Sequence, residues 1–182
     1  MCFGADEMSE SVGKKPEKFI LDATAGFRMM WFNKKHPNCI YLDQRPECEP
    51  DIVGDFRDLK QFPDETFQLI VFDSPHIFTH APYGGSNVMA DYGYLQADSW
   101  RSDLKQGLKE LWRVLKNKGI LILKWSNEHI PSNEIIELAP EKPLFYQVSK
   151  ERNRLSKRNR KNRERVQTLW FCFMKIPKEA DG

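Results

Sequence analysis

Asp22, Asp43 and Asp73 each close a short apolar run: Phe19-Ile20-Leu21, Cys39-Ile40-Tyr41-Leu42 and Leu69-Ile70-Val71-Phe72. Carboxylates at the ends of buried strands are placed to meet a ligand at the carboxyl edge of a sheet. After Asp22 come Ala23-Thr24-Ala25-Gly26, small enough to let a ligand carboxylate approach backbone N–H groups at the positive end of a following helix. Asp43 follows Asp22 by 21 positions, near the spacing at which an acid accepts hydrogen bonds from a ribose. Asp73 opens Asp73-Ser74-Pro75-His76, whose imidazole can stack on a flat molecule or accept a proton near neutral pH. Each feature alone also has a structural reading: strand-end acids are common caps, and His76 can cap the loop after its strand.

Continuous apolar runs suit strands buried on both faces of a parallel sheet, with helices crossing between them. Phe27, Met30 and Trp31 fall at i, i+3 and i+4, which predicts a one-sided crossover helix between the first two strands. The proline-rich stretch from Gln44 to Phe67 predicts a trimmed connection around a short strand near Asp51–Asp55. Trp100, Leu104, Leu108, Leu111 and Leu115 recur every three or four residues. That spacing predicts a helix capped by Asp98 or Ser99 and ended by Gly119 in the left-handed position. Beyond it, Ile120–Leu123 reads as a strand, Asn133–Leu138 as a short helix, and Leu144–Val148 with Thr168–Phe173 as a closing hairpin.

The 182 residues fit one α/β domain over residues 18–182 behind a flexible segment 1–17. No apolar run approaches the roughly 20 residues of a membrane span, and the N-terminus lacks a secretory pattern, so a cytoplasmic location is expected. Cys2, Cys39, Cys48 and Cys172 have no metal-site or disulfide spacing, and no metal is expected. The net charge of +2 conceals a local excess: residues 150–165 hold nine Lys/Arg against two Glu. Six of the nine are arginines, which suit forked phosphate contacts. A solvated charged face is the plain alternative. Residues 77–98, with Tyr83 and Tyr92, form a long loop of the kind that is uncommon unless functional, and Lys124 and Asn127 lie near the carboxyl edge.

Ile20-Leu21-Asp22-Ala23-Thr24-Ala25-Gly26, Asp43, Gly54-Asp55 and Asp73-Ser74-Pro75-His76, in this order, resemble the class I S-adenosylmethionine-dependent methyltransferases. The likeness runs from about residue 18 to 175. The D-x-P-H tetrad, Arg28-Met29-Met30-Trp31 and Leu123-Lys124-Trp125 resemble more narrowly the small phage-type and bacterial members. One departure is that Phe27 and Arg28 stand where the glycine-rich first motif often has further small residues.

The resemblance implies a Rossmann-like, mostly parallel seven-stranded sheet with a C-terminal antiparallel hairpin and helices on both faces. The implied cofactor is S-adenosyl-L-methionine. Asp22, Ala23, Thr24 and Gly26 would shape its methionine pocket, and Arg28 would reach its carboxylate. Asp43 would hold the ribose, Asp55 and Phe56 would flank the adenine, and Asp73 would be a further cofactor contact. Asp73, Ser74, Pro75 and His76 resemble the tetrad of enzymes that methylate exocyclic amino groups of bases. Tyr83, Tyr92, Lys124, Asn127, Arg154, Arg158 and Arg160 are the candidate substrate contacts, with DNA or RNA the expected partner. Two alternatives stay open: methylation of a small metabolite or protein side chain, and a non-catalytic nucleic-acid-binding protein on the same scaffold.

Overall fold

The computed structural model describes residues 18–79, 94–155 and 165–177, with side chains throughout except at 78–79, 150–155 and 165. Strands β1 (Ile20–Asp22), β2 (Cys39–Asp43), β3 (Ile52–Val53) and β4 (Phe67–Asp73) lead to a small parallel pair, β5 (Phe78–Thr79) and β6 (Leu95–Gln96). Helix α1 (Trp100–Val114), β7 (Leu115–Ser126), α2 (Ser132–Leu138), β8 (Phe145–Leu155) and β9 (Arg165–Met174) follow. The large sheet has the order β3-β2-β1-β4-β7-β9-β8. All pairs from β3 to β7 are parallel, and β9 runs antiparallel to both neighbours. From β1 the chain winds outward through β2 and β3, then returns to the other side of β1 as β4. That reversal opens a crevice at the carboxyl ends of β1 and β4, the usual ligand position in such sheets.

Among the described residues the two α-helices pack on one face, where Leu104, Leu108, Leu111 and Ile135 join Leu21, Leu42, Ile70, Phe72, Leu123 and Phe171 in the main core. The predicted α1 and α2 are present, but Gly119 does not cap α1. The helix passes directly into β7 at Leu115, and Lys118 takes the positive φ of 62°. Gly119 is instead fixed by close approach, since a Cβ there would lie 2.7 Å from the Lys116 carbonyl oxygen.

On the opposite face Ile20, Ala25, Cys39 and Tyr41 form a second cluster with Trp31 and Leu69. The expected crossover helix is absent: residues 23–38 run in successive turns. Gly26 and Arg28 adopt positive φ values of 48° and 56°, which break a right-handed helix. Phe27 is 52% exposed and Met30 and Trp31 are only partly buried, so the apolar spacing does not mark a buried helical face. What ties the segment down is hydrogen bonding from Trp31 Nε1 to Asp22 and from Tyr41 Oη to the Asn33 carbonyl.

Gly107 on α1 serves packing. Its missing side chain makes room for the Phe56 ring, which would collide with a Cβ there and which stacks obliquely on Phe72 at 4.9 Å. Gly107→Ala should therefore lower stability by about 1–3 kcal/mol through overpacking, although alanine is the better helix former by about 1 kcal/mol. Urea unfolding of the variant reads the sign directly; a stabilised protein would mean Phe56 moves aside without cost.

Candidate active site

A cleft of about 1590 Å³ lies over the carboxyl ends of β1, β2, β4 and β7. A single small-molecule site takes roughly 300–1,000 Å³, so this one has room for a cofactor and a second molecule. Its wall includes Asp22, Ala23, Thr24, Gly26, Asp43, Phe56, Asp73, Ser74, Pro75, His76 and Lys124. The sequence-derived tetrad and most of the expected cofactor residues are thus brought together.

Asp22 is fully buried. Trp31 Nε1 donates to its Oδ2 at 2.7 Å and the Thr24 N–H to its Oδ1 at 3.3 Å. Burial, with the charges of Asp73 and Asp43 nearby, lifts its pKa from 3.8 to about 6. The folded protein therefore binds this proton more tightly than the unfolded chain does. Stability from this group is full below pH 3.8 and is lost as pH rises through about 6, a loss of about 3 kcal/mol. Unfolding curves between pH 4 and 7 should show that fall in the wild type and not in Asp22→Asn. Parallel curves would contradict the assignment.

Asp43 is held differently. Its Oδ2 accepts from the Gly26 N–H at 2.7 Å and Arg45 Nη2 at 3.1 Å, and its Oδ1 accepts from the Arg45 N–H and Nε at 3.0 and 2.9 Å. Burial pushes its pKa up, but these donors outweigh it and leave the carboxyl below the ordinary value. The four bonds fill the roughly four acceptor positions of a carboxylate. A ribose diol would take the places of the two side-chain donors of Arg45.

At the end of β4, Lys124 Nζ lies 2.6 Å from Asp73 Oδ2, and Asp73 retains 24% side-chain exposure. Thr24 Oγ1 donates to the Asp73 carbonyl at 3.1 Å, tying the β1 loop to the tetrad. Ser74 is buried, with its hydroxyl on the Pro75 carbonyl. His76 Nδ1 contacts the Ser74 carbonyl at 3.2 Å. A carbonyl only accepts, so Nδ1 carries the hydrogen and Nε2 is the basic nitrogen. Burial lowers the His76 pKa below its usual value, keeping the ring neutral at pH 7.

Several expected residues lie elsewhere. Arg28 is turned away from the cleft, with its guanidinium donating to the Lys34 and Glu49 carbonyls and lying 4.3 Å from the centre of the Tyr41 ring. Asp55 is absent from the cleft wall and grips Arg57, which also pairs with Asp103. Asn127 is buried and accepts from the Gln167 N–H at 2.7 Å, joining β7 to β9. The expected N–H cradle after β1 is also absent, because no helix follows. The N–H groups of Ala23, Thr24, Ala25 and Gly26 bond to Val71, Asp22, Leu42 and Asp43.

Tyr83, Tyr92, Arg158 and Arg160 lie outside the described residues, as does the side chain of Arg154. Within the basic stretch, residues 150–155 continue β8 and Arg165 begins β9. Because β8 runs parallel to β7 through their shared neighbour, it does leave the sheet on the cleft's edge. Sequence reading missed Arg45, Ser149, Thr168 and Trp170 in the wall. The repeated acid-x-arginine pattern of Asp43-Gln44-Arg45 and Asp55-Phe56-Arg57 was a usable signal for the first.

The wall suits a cationic adenosyl ligand: carboxylates of Asp22, Asp43 and Asp73 close three neighbouring strands, and the buried Phe56 offers an aromatic surface. No family model and no curated protein match the chain, whereas solved structures do. A methyltransferase from Methanosarcina mazei aligns at TM-score 0.53 and 13% identity, over 89% of this chain and 94% of that one. A methyltransferase from Archaeoglobus fulgidus aligns at 0.50 and 14%, over 88% and 87%. The 1,6-didemethyltoxoflavin-N1-methyltransferase of Burkholderia thailandensis, which holds its substrate and S-adenosylhomocysteine, aligns at 0.50 and 13%, over 88% and 72%. The sheet order, the switch-point cleft and these likenesses together give the chain the fold of the class I S-adenosylmethionine-dependent methyltransferases.

Proposed function

We propose that the protein transfers a methyl group from S-adenosylmethionine to an exocyclic amino nitrogen of a nucleic-acid base. The observation that carries this reading is the Asp73 carboxylate at the end of β4, half-buried in the cleft, with one oxygen on Lys124. The second oxygen is then the acceptor for a substrate N–H. An amino nitrogen conjugated with a ring is a poor nucleophile, and a hydrogen bond to Asp73 favours a pyramidal nitrogen whose lone pair is available. The bound cofactor would supply an electrophilic methyl carbon on a sulfonium. Once the nitrogen has gained its methyl it must shed a proton, and neutral His76 offers Nε2 to receive it. Holding acceptor and donor in line accounts for much of the rate.

The cations that follow β8 in the sequence favour a polyanionic substrate, with Arg154, Arg158 and Arg160 as phosphate contacts and Tyr83 and Tyr92 as base contacts. Incubation with methyl-labelled cofactor against total DNA, total RNA and a metabolite extract tests the reading. The expected result is label in an N-methylated base, with turnover that falls steeply with salt. Label confined to the metabolite fraction would favour a small flat heterocycle, the kind of acceptor named for the Burkholderia enzyme.

A further inference from the structure

The face of the sheet opposite the helices carries a row of three side chains at the cleft. Asp73 on β4 is in register with Lys124 on β7, and Lys124 with Trp170 on β9. Lys124 Nζ links the row, 2.6 Å from Asp73 Oδ2 and 5.8 Å from the centre of the Trp170 ring, within cation–π range. Trp170 is only half-buried and lines the cleft, while its strand neighbours Leu169 and Phe171 point into the core.

The ring is also locked. The register of β8 against β9 shifts between Val148 and Lys150, which makes Ser149 the extra residue of a bulge, a device that re-aims a side chain. Trp170 Nε1 donates to Ser149 Oγ at 3.0 Å, and that hydroxyl donates to the Thr168 carbonyl at 3.3 Å. The single donor of the indole is satisfied, so an aromatic surface is offered to the cleft in a fixed orientation.

We infer that Trp170 is the platform on which a planar heteroaromatic substrate stacks, held by the Ser149 bulge so that the amino group of that substrate meets Asp73. This rests on the reading of methyl transfer at Asp73, and it restricts the substrate to a flat π-ring, which a flexible aliphatic amine cannot replace. Stacking of a base on an aromatic side chain contributes about 1–3 kcal/mol, so removal of the ring should weaken binding roughly 5- to 150-fold.

The probe is a short single-stranded oligonucleotide carrying 2-aminopurine, as DNA and as RNA, whose fluorescence is quenched by stacking. Titration of the wild type should quench it. Trp170→Phe should bind within a few-fold, Trp170→Ala should lose affinity and quenching together, and Ser149→Ala should lose less. All variants should bind S-adenosylhomocysteine as the wild type does, which separates a lost platform from a lost fold. Wild-type affinity and quenching in Trp170→Ala, equal losses in Trp170→Phe and Trp170→Ala, or no binding of either probe by the wild type would each overturn the inference. Unchanged transfer in Asp73→Ala alongside lost probe binding in Trp170→Ala would instead overturn the chemistry assigned to Asp73 and leave the platform standing.

Discussion

Asp73→Ala should cut methyl transfer on the order of 10²- to 10³-fold, the usual cost of removing one preorganised polar group at the reacting centre, while cofactor affinity stays within a few-fold. Asp73 shares its Oδ2 with Lys124, and its backbone carbonyl, which alanine keeps, is the acceptor for Thr24. The substitution therefore removes the proposed acceptor for the substrate nitrogen and leaves the β1–β4 connection intact. Single-turnover kinetics with saturating cofactor would measure the loss. Transfer within tenfold of wild type would mean that another group activates the nitrogen.

Asp43 variants should show the reverse pattern, with cofactor affinity falling about 100-fold or more while transfer at saturation changes little. Two hydrogen bonds to a charged acceptor contribute about 1.5–3 kcal/mol each, and ribose hydroxyls would take up the two positions now filled by the Arg45 side chain. Asp43 also holds the Gly26 N–H, so Asp43→Ala disturbs the loop after β1. Asp43→Asn keeps an oxygen for that N–H and is the cleaner variant. Arg45→Met complements it: without the guanidinium to displace, calorimetry should give tighter cofactor binding. Weaker binding would show that Arg45 supports the ribose site instead of occupying it.

The strands that position these acids were legible because strands buried on both faces need unbroken apolar runs, and Asp22, Asp43 and Asp73 end such runs. The switch point then follows from strand order. The crossover at 23–38 was misread because side-chain spacing carries no information on backbone torsion. Gly26 and Arg28 turn left-handed, and Trp31 is drawn down by the Asp22 carboxylate instead of by a helical face. Arg28, Asp55 and Asn127 had the right residue types near the right edge, yet nearby chain supplies each with partners that turn it from the cleft. Trp170 was hidden inside Leu169-Trp170-Phe171-Cys172-Phe173. Period-two alternation separates Leu169, Phe171 and Phe173, which enter the core, from Thr168 and Trp170, which reach the cleft.

Equilibrium dialysis of labelled S-adenosylmethionine against wild type, Asp43→Asn and Asp73→Ala tests most directly whether this cleft is a cofactor site. One equivalent should bind to the wild type and to Asp73→Ala with similar affinity, and markedly more weakly to Asp43→Asn. Absence of binding to wild-type protein whose circular dichroism shows the α/β fold, or equal losses in both variants, would contradict it.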